Sequence, residues 1–495
     1  MKIRDAKRKK LIEFFDEEAS KRGKWQKKSN YYYKDINKLC DFLTYPGSNV
    51  LEIGCGTGDL LEFLRENNDC KCTGIDFSSK MIDIAKKRFA GKGDKKHNDI
   101  KFYKADAEDF NIPGQKEKFD VIILSDLIGV LPDIQKVLEH IKKYCKSGTR
   151  IIISFYNFLW EPILNISGKL KLTSKIMQEN WLSVDDVNNL LALTGYDNIK
   201  KGTRLLLPKY IPLVSSFFNT YVARLPLIRR LCLYTYIVAR PVDIEPRTEK
   251  SVSVIIAAMN EKGNIENAVL RTPKMGKSTE IIFVEGGSKD GTYEEIARVA
   301  KKYSGEEGKK RGISRIIYAK QDGKGKGDAV RKGFDLASGE ILMILDADLT
   351  VPPEDLPKFY EAIASNKGEF INGTRLVYPM EDEAMRTLNL IGNKGFSMIF
   401  TWILDQRFKD TLCGTKVISK KNYERLKKNR KYFGDFDPFG DFDLIFGASK
   451  LNLKIIEVPI RYGARTYGTT NIQRFKHGWL LIQMSLFAMK KIKFK

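Results

Sequence analysis

The sequence predicts an α/β protein built as two consecutive domains, and three observations lead there. Its 495 residues exceed what one hydrophobic core usually organises, at ~100–200 residues per domain. Short β-rich runs alternate with helical patterns through the first half, and the alternation begins afresh near residue 252. Between the two series, residues 239–250 are rich in proline and charge, which suits an exposed linker. The expected boundaries are a first domain over residues 1–240, a linker at 241–250 and a second domain over 251–495.

In the first series the strand candidates are residues 49–53, 72–75, 100–103, 121–124 and 150–155. Helical patterns separate them, which is the mark of a doubly wound parallel sheet. The second series places strands at 252–258, 280–284, 313–319, 341–345 and 369–372. Residues 203–240 interleave apolar clusters with Lys209, Arg224, Arg229 and Arg230. That basic, amphipathic segment reads two ways: as a membrane-surface element, or as the last strands of the first sheet packed on a neighbour.

The formal charge of +24, from 86 Lys and Arg against 62 Asp and Glu, favours anionic partners such as lipid headgroups and nucleotides. No zinc finger or aromatic-basic RNA-binding pattern accompanies it, so a nucleic-acid partner is not expected. Seven scattered cysteines with no CxxC pair argue against structural zinc and for a reducing compartment. The basic start lacks an apolar h-region and no run reaches the ~18–20 residues of a spanning helix. The expected location is therefore the cytoplasm, with the membrane's cytoplasmic face as a peripheral site.

Gly54, Gly56 and Gly58 stand at alternate positions between a strand ending at Ile53 and a helix, where glycine allows a tight turn and close approach of a ligand. Glu52 precedes them, and Asp76 ends the next strand, where a carboxylate can take both ribose hydroxyls. Asp106 and Ala107 follow the third strand, and Ser125 closes the fourth. These ordered motifs resemble the class I methyltransferases over residues 30–240. The resemblance implies a Rossmann-like domain in which Glu52, Gly54, Gly56, Gly58, Asp76, Asp106, Ala107 and Ser125 contact S-adenosylmethionine. Tyr31, Tyr32 and Tyr33 read either as a cap on cofactor or acceptor, or as packing.

The second half carries Asp346-Ala347-Asp348 after an apolar strand. Two carboxylates at i and i+2 on a strand end suit Mg²⁺ or Mn²⁺ held against a diphosphate. Before them come Ala258 to Glu261 at one strand end, Glu285 at the next, and the glycine-lysine run 323–327 with Lys324. In this order the motifs resemble family-2 glycosyltransferases of the GT-A fold, nearest the polyprenyl-phosphate sugar synthases, from residue 252 to about 483. The resemblance implies that Ala258, Glu261, Glu285, Lys324 and Asp346 line a nucleotide-sugar pocket, with Asp346 and Asp348 on the metal. It also implies an acceptor-activating or acceptor-orienting carboxylate at Asp410, with Asp441 and Asp443 as rivals. Arg461, Arg465 and Thr469 match a segment that meets phosphate. Residues 477–489 are apolar and end in a lysine cluster, which reads as core packing or as an interfacial anchor.

The expectation is thus a Rossmann-like class I methyltransferase followed by a GT-A glycosyltransferase. It would join S-adenosylmethionine-dependent methyl transfer to metal-dependent, inverting transfer from a UDP- or GDP-linked sugar to an acceptor such as polyprenyl phosphate. The alternative is transfer to a saccharide or protein-linked glycan, with the first half serving as a binding module.

Overall fold

The computed structural model describes residues 2–90, 100–170, 180–242, 248–377, 387–430, 442–463, 465, 467 and 474–495. The chain divides into two compact units, one of residues 1–245 with 494–495, the other of residues 246–493.

Unit 1 is a seven-stranded sheet of β1 (Asn49–Ile53), β2 (Lys71–Asp76), β3 (Ile100–Lys104), β4 (Phe119–Ser125), β5 (Cys145–Tyr156), β6 (Tyr196–Arg204) and β7 (Tyr234–Pro241). Its order is β3-β2-β1-β4-β5-β7-β6. β1 to β5 are mutually parallel, and their central runs, such as Val121–Leu124, are almost wholly buried, as strands covered on both faces must be. The sheet is not parallel throughout: β7 runs antiparallel to β5 and to β6. The ends of residues 203–240 are thus the last strands of the first sheet, as one of the two readings of that segment had it. Residues between Leu205 and Leu233 form a surface excursion with many exposed apolar side chains. β7 also carries the sheet through Pro241.

Unit 2 is a second seven-stranded sheet: β8 (Val252–Ala258), β9 (Thr279–Glu285), β10 (Ile313–Lys320), β11 (Ile341–Ile344), β12 (Phe370–Thr374), β13 (Lys416–Ser419) and β14 (Ile455–Pro459). The order is β10-β9-β8-β11-β13-β12-β14. β8 to β11 are parallel, while β13 inserts antiparallel between β11 and β12. Ala258, Glu285 and Ile344 consequently finish at one sheet edge, and the Asp346 to Asp348 segment leaves from it.

Among the described residues no helix is long and apolar enough to cross a membrane. The helix Arg474–Ala488 is partly packed into the core. Leu481, Met484 and Ala488 are buried, while Trp479, Ile482 and Leu486, spaced along another face, are exposed.

Candidate active sites

The first site forms where β1 and β2 end. Gly54 and Gly58 have φ of +77° and +81°, a left-handed backbone that glycine enters at little steric cost. At Gly58 space is also denied to any side chain, because a Cβ would meet the Phe102 ring at 2.6 Å. Asp76 fastens this turn: its Oδ2 accepts from the Gly56 amide and its Oδ1 from the Ser78 amide, both at 2.9 Å. Burial holds the Asp76 carboxyl above its ordinary pKa despite the two amide donors.

Beside the turn lies a cleft open to solvent, lined by Gly54, Asp76, Phe77, Asp106, Ala107 and Leu127 among others. The structure thus gathers four of the eight predicted donor residues at one cavity. The helix Lys2–Ala19 adds Leu11 and Phe15 to its wall, and Phe15 meets Phe77 edge-on at 5.5 Å. Gly56, Gly58, Glu52 and Ser125 are not among the lining residues. Glu52 is buried, and burial pushes its carboxyl well above the ordinary range. Its Oε2 has no hydrogen-bond partner among the described residues, and neither has the buried Nε of Arg22, whose guanidinium faces Gly56. An unmet carboxylate oxygen and an unmet guanidinium N–H near a glycine turn fit the amino-acid end of S-adenosylmethionine, with the nucleoside in the cleft. Ser125 Oγ instead lies 3.3 Å from Ser154 Oγ.

The tyrosines before β1 do more than pack. Tyr32 donates to Asp126 Oδ2 at 2.5 Å, stacks on Tyr156 at 5.7 Å and meets Tyr234 edge-on at 5.6 Å. Asp126, with φ +52°, directly follows β4; burial raises its pKa above the ordinary value, against the pull of the Tyr32 and Ser154 hydroxyls.

The second site forms at the ends of β8, β9 and β11. Lys326 Nζ stands 2.7 Å from Asp346 Oδ1. Arg465 bridges two other acids, with Nη2 2.7 Å from Asp348 Oδ2 and Nη1 3.1 Å from Glu261 Oε1. Thr350 fixes the other Asp348 oxygen through its hydroxyl at 2.9 Å and its amide at 3.2 Å. A Cβ on Gly414 would stand 2.0 Å from Asp346 Oδ2, so only glycine lets the 410–416 segment close on this carboxylate. Burial would raise the Asp346 pKa, but Lys326, Lys416 and Arg375 hold it below the ordinary carboxylate value. Among the described residues no group of three or more His, Cys, Asp or Glu could hold a metal ion alone. Two strand-end carboxylates fit Mg²⁺ or Mn²⁺ that completes its coordination with substrate phosphate oxygens.

Ala258 and Glu285 are buried at their strand ends. The Ala258 carbonyl accepts from the Gly286 amide at 2.9 Å, and Glu285 accepts from the Ser288 amide. Lys324 is exposed; the neighbouring Lys326 makes the contact with Asp346. Asp410 is fully buried and saturated. It accepts from Arg375 Nε at 2.7 Å, Arg375 Nη2 at 2.8 Å, the Arg375 amide at 3.0 Å, Asn393 Nδ2 at 2.9 Å and the Leu412 amide at 3.1 Å. Burial opposes ionisation, yet the Arg375 guanidinium keeps this carboxyl below its ordinary pKa. Asp443 instead faces Arg331 at 3.9 Å and Arg430 at 3.7 Å. Arg461 is exposed, while Thr469 and Asp441 lie outside the described residues.

Sequence reading missed Arg22, Lys326, Arg375 and Asn393. Lys326 lay within the glycine-lysine run already singled out, and Arg375 directly follows a strand end, so both carried a usable signal. Arg22 and Asn393 sit in helical stretches with no local motif.

Residues 253–436 match the family model for glycosyl transferase family 2, and residues 51–151 match that for a methyltransferase domain. A dolichol-phosphate mannosyltransferase of Pyrococcus furiosus is 31% identical over 228 residues, covering 45% of this chain and 59% of the relative. That of Saccharomyces cerevisiae is 38% identical over 128 residues, 25% of this chain and 44% of the relative. The UDP-N-acetylglucosamine–dolichyl-phosphate N-acetylglucosaminyltransferase of Methanococcus voltae is 26% identical over 253 residues, 48% of this chain and 97% of the relative. The chain therefore spans less than two thirds of the length of the first two relatives.

Proposed function

Because residues 51–151 form a methyltransferase domain and residues 253–436 a glycosyl transferase family 2 domain, we propose that the chain is bifunctional. One unit transfers methyl from S-adenosylmethionine. The other transfers sugar with inversion from a nucleotide sugar to polyprenyl phosphate. The observation that carries this reading is that each sheet ends in its own acidic, cation-balanced site. A divalent ion held by Asp346 and Asp348 would neutralise charge on the leaving diphosphate.

The chain's own groups have distinct parts. Lys326 and Arg375 supply fixed positive charge around Asp346, where the nucleotide phosphates would lie. Asp410 positions Arg375 rather than taking a proton, and a phosphate acceptor is already ionised and needs little deprotonation. In unit 1, Asp76 and the glycine turn orient the donor so that its methyl carbon faces an acceptor, which is most of what a reactive sulfonium requires. The exposed stripe Trp479, Ile482 and Leu486, followed by the exposed Lys490, supports peripheral attachment of unit 2 to an anionic membrane face.

The test is incubation of the full chain with labelled UDP- and GDP-sugars, polyprenyl phosphate and Mn²⁺. Sugar should appear in the lipid extract, depend on the metal, and vanish with Asp348→Ala. Transfer that ignores both metal and Asp348 would sink the reading of the second site.

A further inference from the structure

Unit 1 carries an apolar platform that its own core does not use. One part follows β5, where the turn Phe158–Trp160 and the helix Glu161–Lys169 leave Phe158 and Ile166 exposed. The other lies between β6 and β7, where Phe217 is exposed and Leu213 and Leu227 reach 86% and 79% exposure. The two parts form one surface. Asn157 Nδ2 donates to the Arg230 and Cys232 carbonyls at 2.8 and 3.0 Å, and Trp160 Nε1 to the Leu231 carbonyl at 2.9 Å. A contiguous apolar surface of this kind marks a contact site.

Charge identifies the occupant. Residues 205–233 contain not one Asp or Glu, and outside the core they carry Lys209, Arg229 and Arg230. In that stretch bulky apolar side chains stand among cations and no carboxylate, which complements an anionic bilayer surface.

The platform's place in the fold gives it a purpose. β7 is antiparallel to both β5 and β6, so both parts leave the sheet at the edge where β1 ends in the donor turn. Three consecutive residues of the helix Asn30–Leu43 span the interval. Tyr31 packs on Tyr210 at 5.5 Å and accepts from Asn219 Nδ2 at 3.1 Å. Tyr32 donates to Asp126. Tyr33 lies under the Arg22 guanidinium at 5.3 Å, and Arg22 faces Gly56.

We propose that this platform seats on an anionic bilayer and that the methyl acceptor is the polar head of a membrane-embedded lipid, entering beside Tyr32 and Asp126. The inference rests on the methyl-transfer reading of unit 1. In the step, a hydroxyl or amine of the head forms a bond to the methyl carbon as the carbon–sulfur bond breaks. The bonding pair leaves on sulfur, which becomes a neutral thioether, and the head's proton passes to the Asp126 carboxylate.

All seven cysteines are buried, so Leu213→Cys in the full chain can be labelled selectively with an environment-sensitive fluorophore. Asn67→Cys is the control, on the exposed end of the helix Asp59–Asn68 that runs back from the donor turn to the opposite sheet edge. Phosphatidylglycerol-containing vesicles should blue-shift the probe at 213 and leave that at 67 unchanged, and phosphatidylcholine vesicles should shift neither. With membranes and labelled S-adenosylmethionine, methyl should enter the lipid extract. Leu213→Glu with Leu227→Glu should cut that transfer about tenfold while S-adenosylmethionine binding stays unchanged. An unshifted probe at 213, or label confined to a protein or water-soluble acceptor and indifferent to the two substitutions, overturns the proposal. A wild-type chain that fails to bind S-adenosylmethionine overturns the methyl-transfer reading along with it.

Discussion

Replacing Asp410 by asparagine should destabilise unit 2 far more than an ordinary loss of hydrogen bonds would. The Asp410 side chain is 0% exposed and that of Arg375 10%, so Asp410→Asn strips an enclosed guanidinium of the carboxylate it pairs with directly. Breaking one half of a buried pair costs about 3–5 kcal/mol, whereas replacing both halves by apolar groups is often close to neutral. For a unit of this size, each kcal/mol moves the melting point by ~2–4 °C, so Asp410→Asn should lower it by roughly 6–20 °C. Adding Arg375→Met should recover much of that loss. Scanning calorimetry of the full chain measures the shift, and hydrogen exchange at Phe370–Thr374 identifies the transition affected. The pH dependence has a defined sign. The folded carboxyl is held below its ordinary value, so its contribution is present above the unfolded pKa of ~3.9 and fades as pH falls through the folded value. The gap between wild type and Asp410→Asn should therefore be full at neutral pH and narrow below about pH 4. A single variant melting with the wild type, or a double variant no better than the single, would refute this account of the pair.

Three further outcomes follow from the same geometry. Asp76→Ala removes a charge-assisted hydrogen bond from the Gly56 amide of the donor turn and one from the Ser78 amide, each worth ~1.5–3 kcal/mol, and should weaken S-adenosylmethionine binding at least ~10-fold by calorimetry; undiminished affinity would count against the site. Gly414→Ala places a methyl against Asp346 Oδ2 and should abolish metal-dependent sugar transfer while far-ultraviolet circular dichroism stays unchanged. Lys326→Met removes the largest influence holding the Asp346 pKa down. The acidic limb of the pH–rate profile should therefore move upward, and an unmoved limb would deny Lys326 that role.

The two sheets were legible because their central strands are continuous apolar runs: residues 49–53 and 252–258 read from sequence coincide with β1 and β8. Asp76 and Asp346 were legible for a related reason, since an acid directly after such a run must stand at a sheet edge. β6 escaped because Lys200, Lys201 and Arg204 interrupt its apolar pattern, though Lys200 is itself buried. β13 escaped because it has only four residues. What local pattern does not encode is which distant side chain answers a given charge. Arg375 and Asn393 reach Asp410 from 35 and 17 positions away. The choice of Lys326 over Lys324 depends on where one helix begins, at Lys326 itself.

The bridge from Arg465 to Asp348 and Glu261 means that the second site is already neutralised from within. On the metal-dependent reading proposed above, a divalent ion would first have to evict a tethered guanidinium, which would make solitary metal capture unfavourable. Arrival together with a diphosphate would offer the displaced guanidinium a new anion, so that loading of ion and nucleotide would become mutually reinforcing.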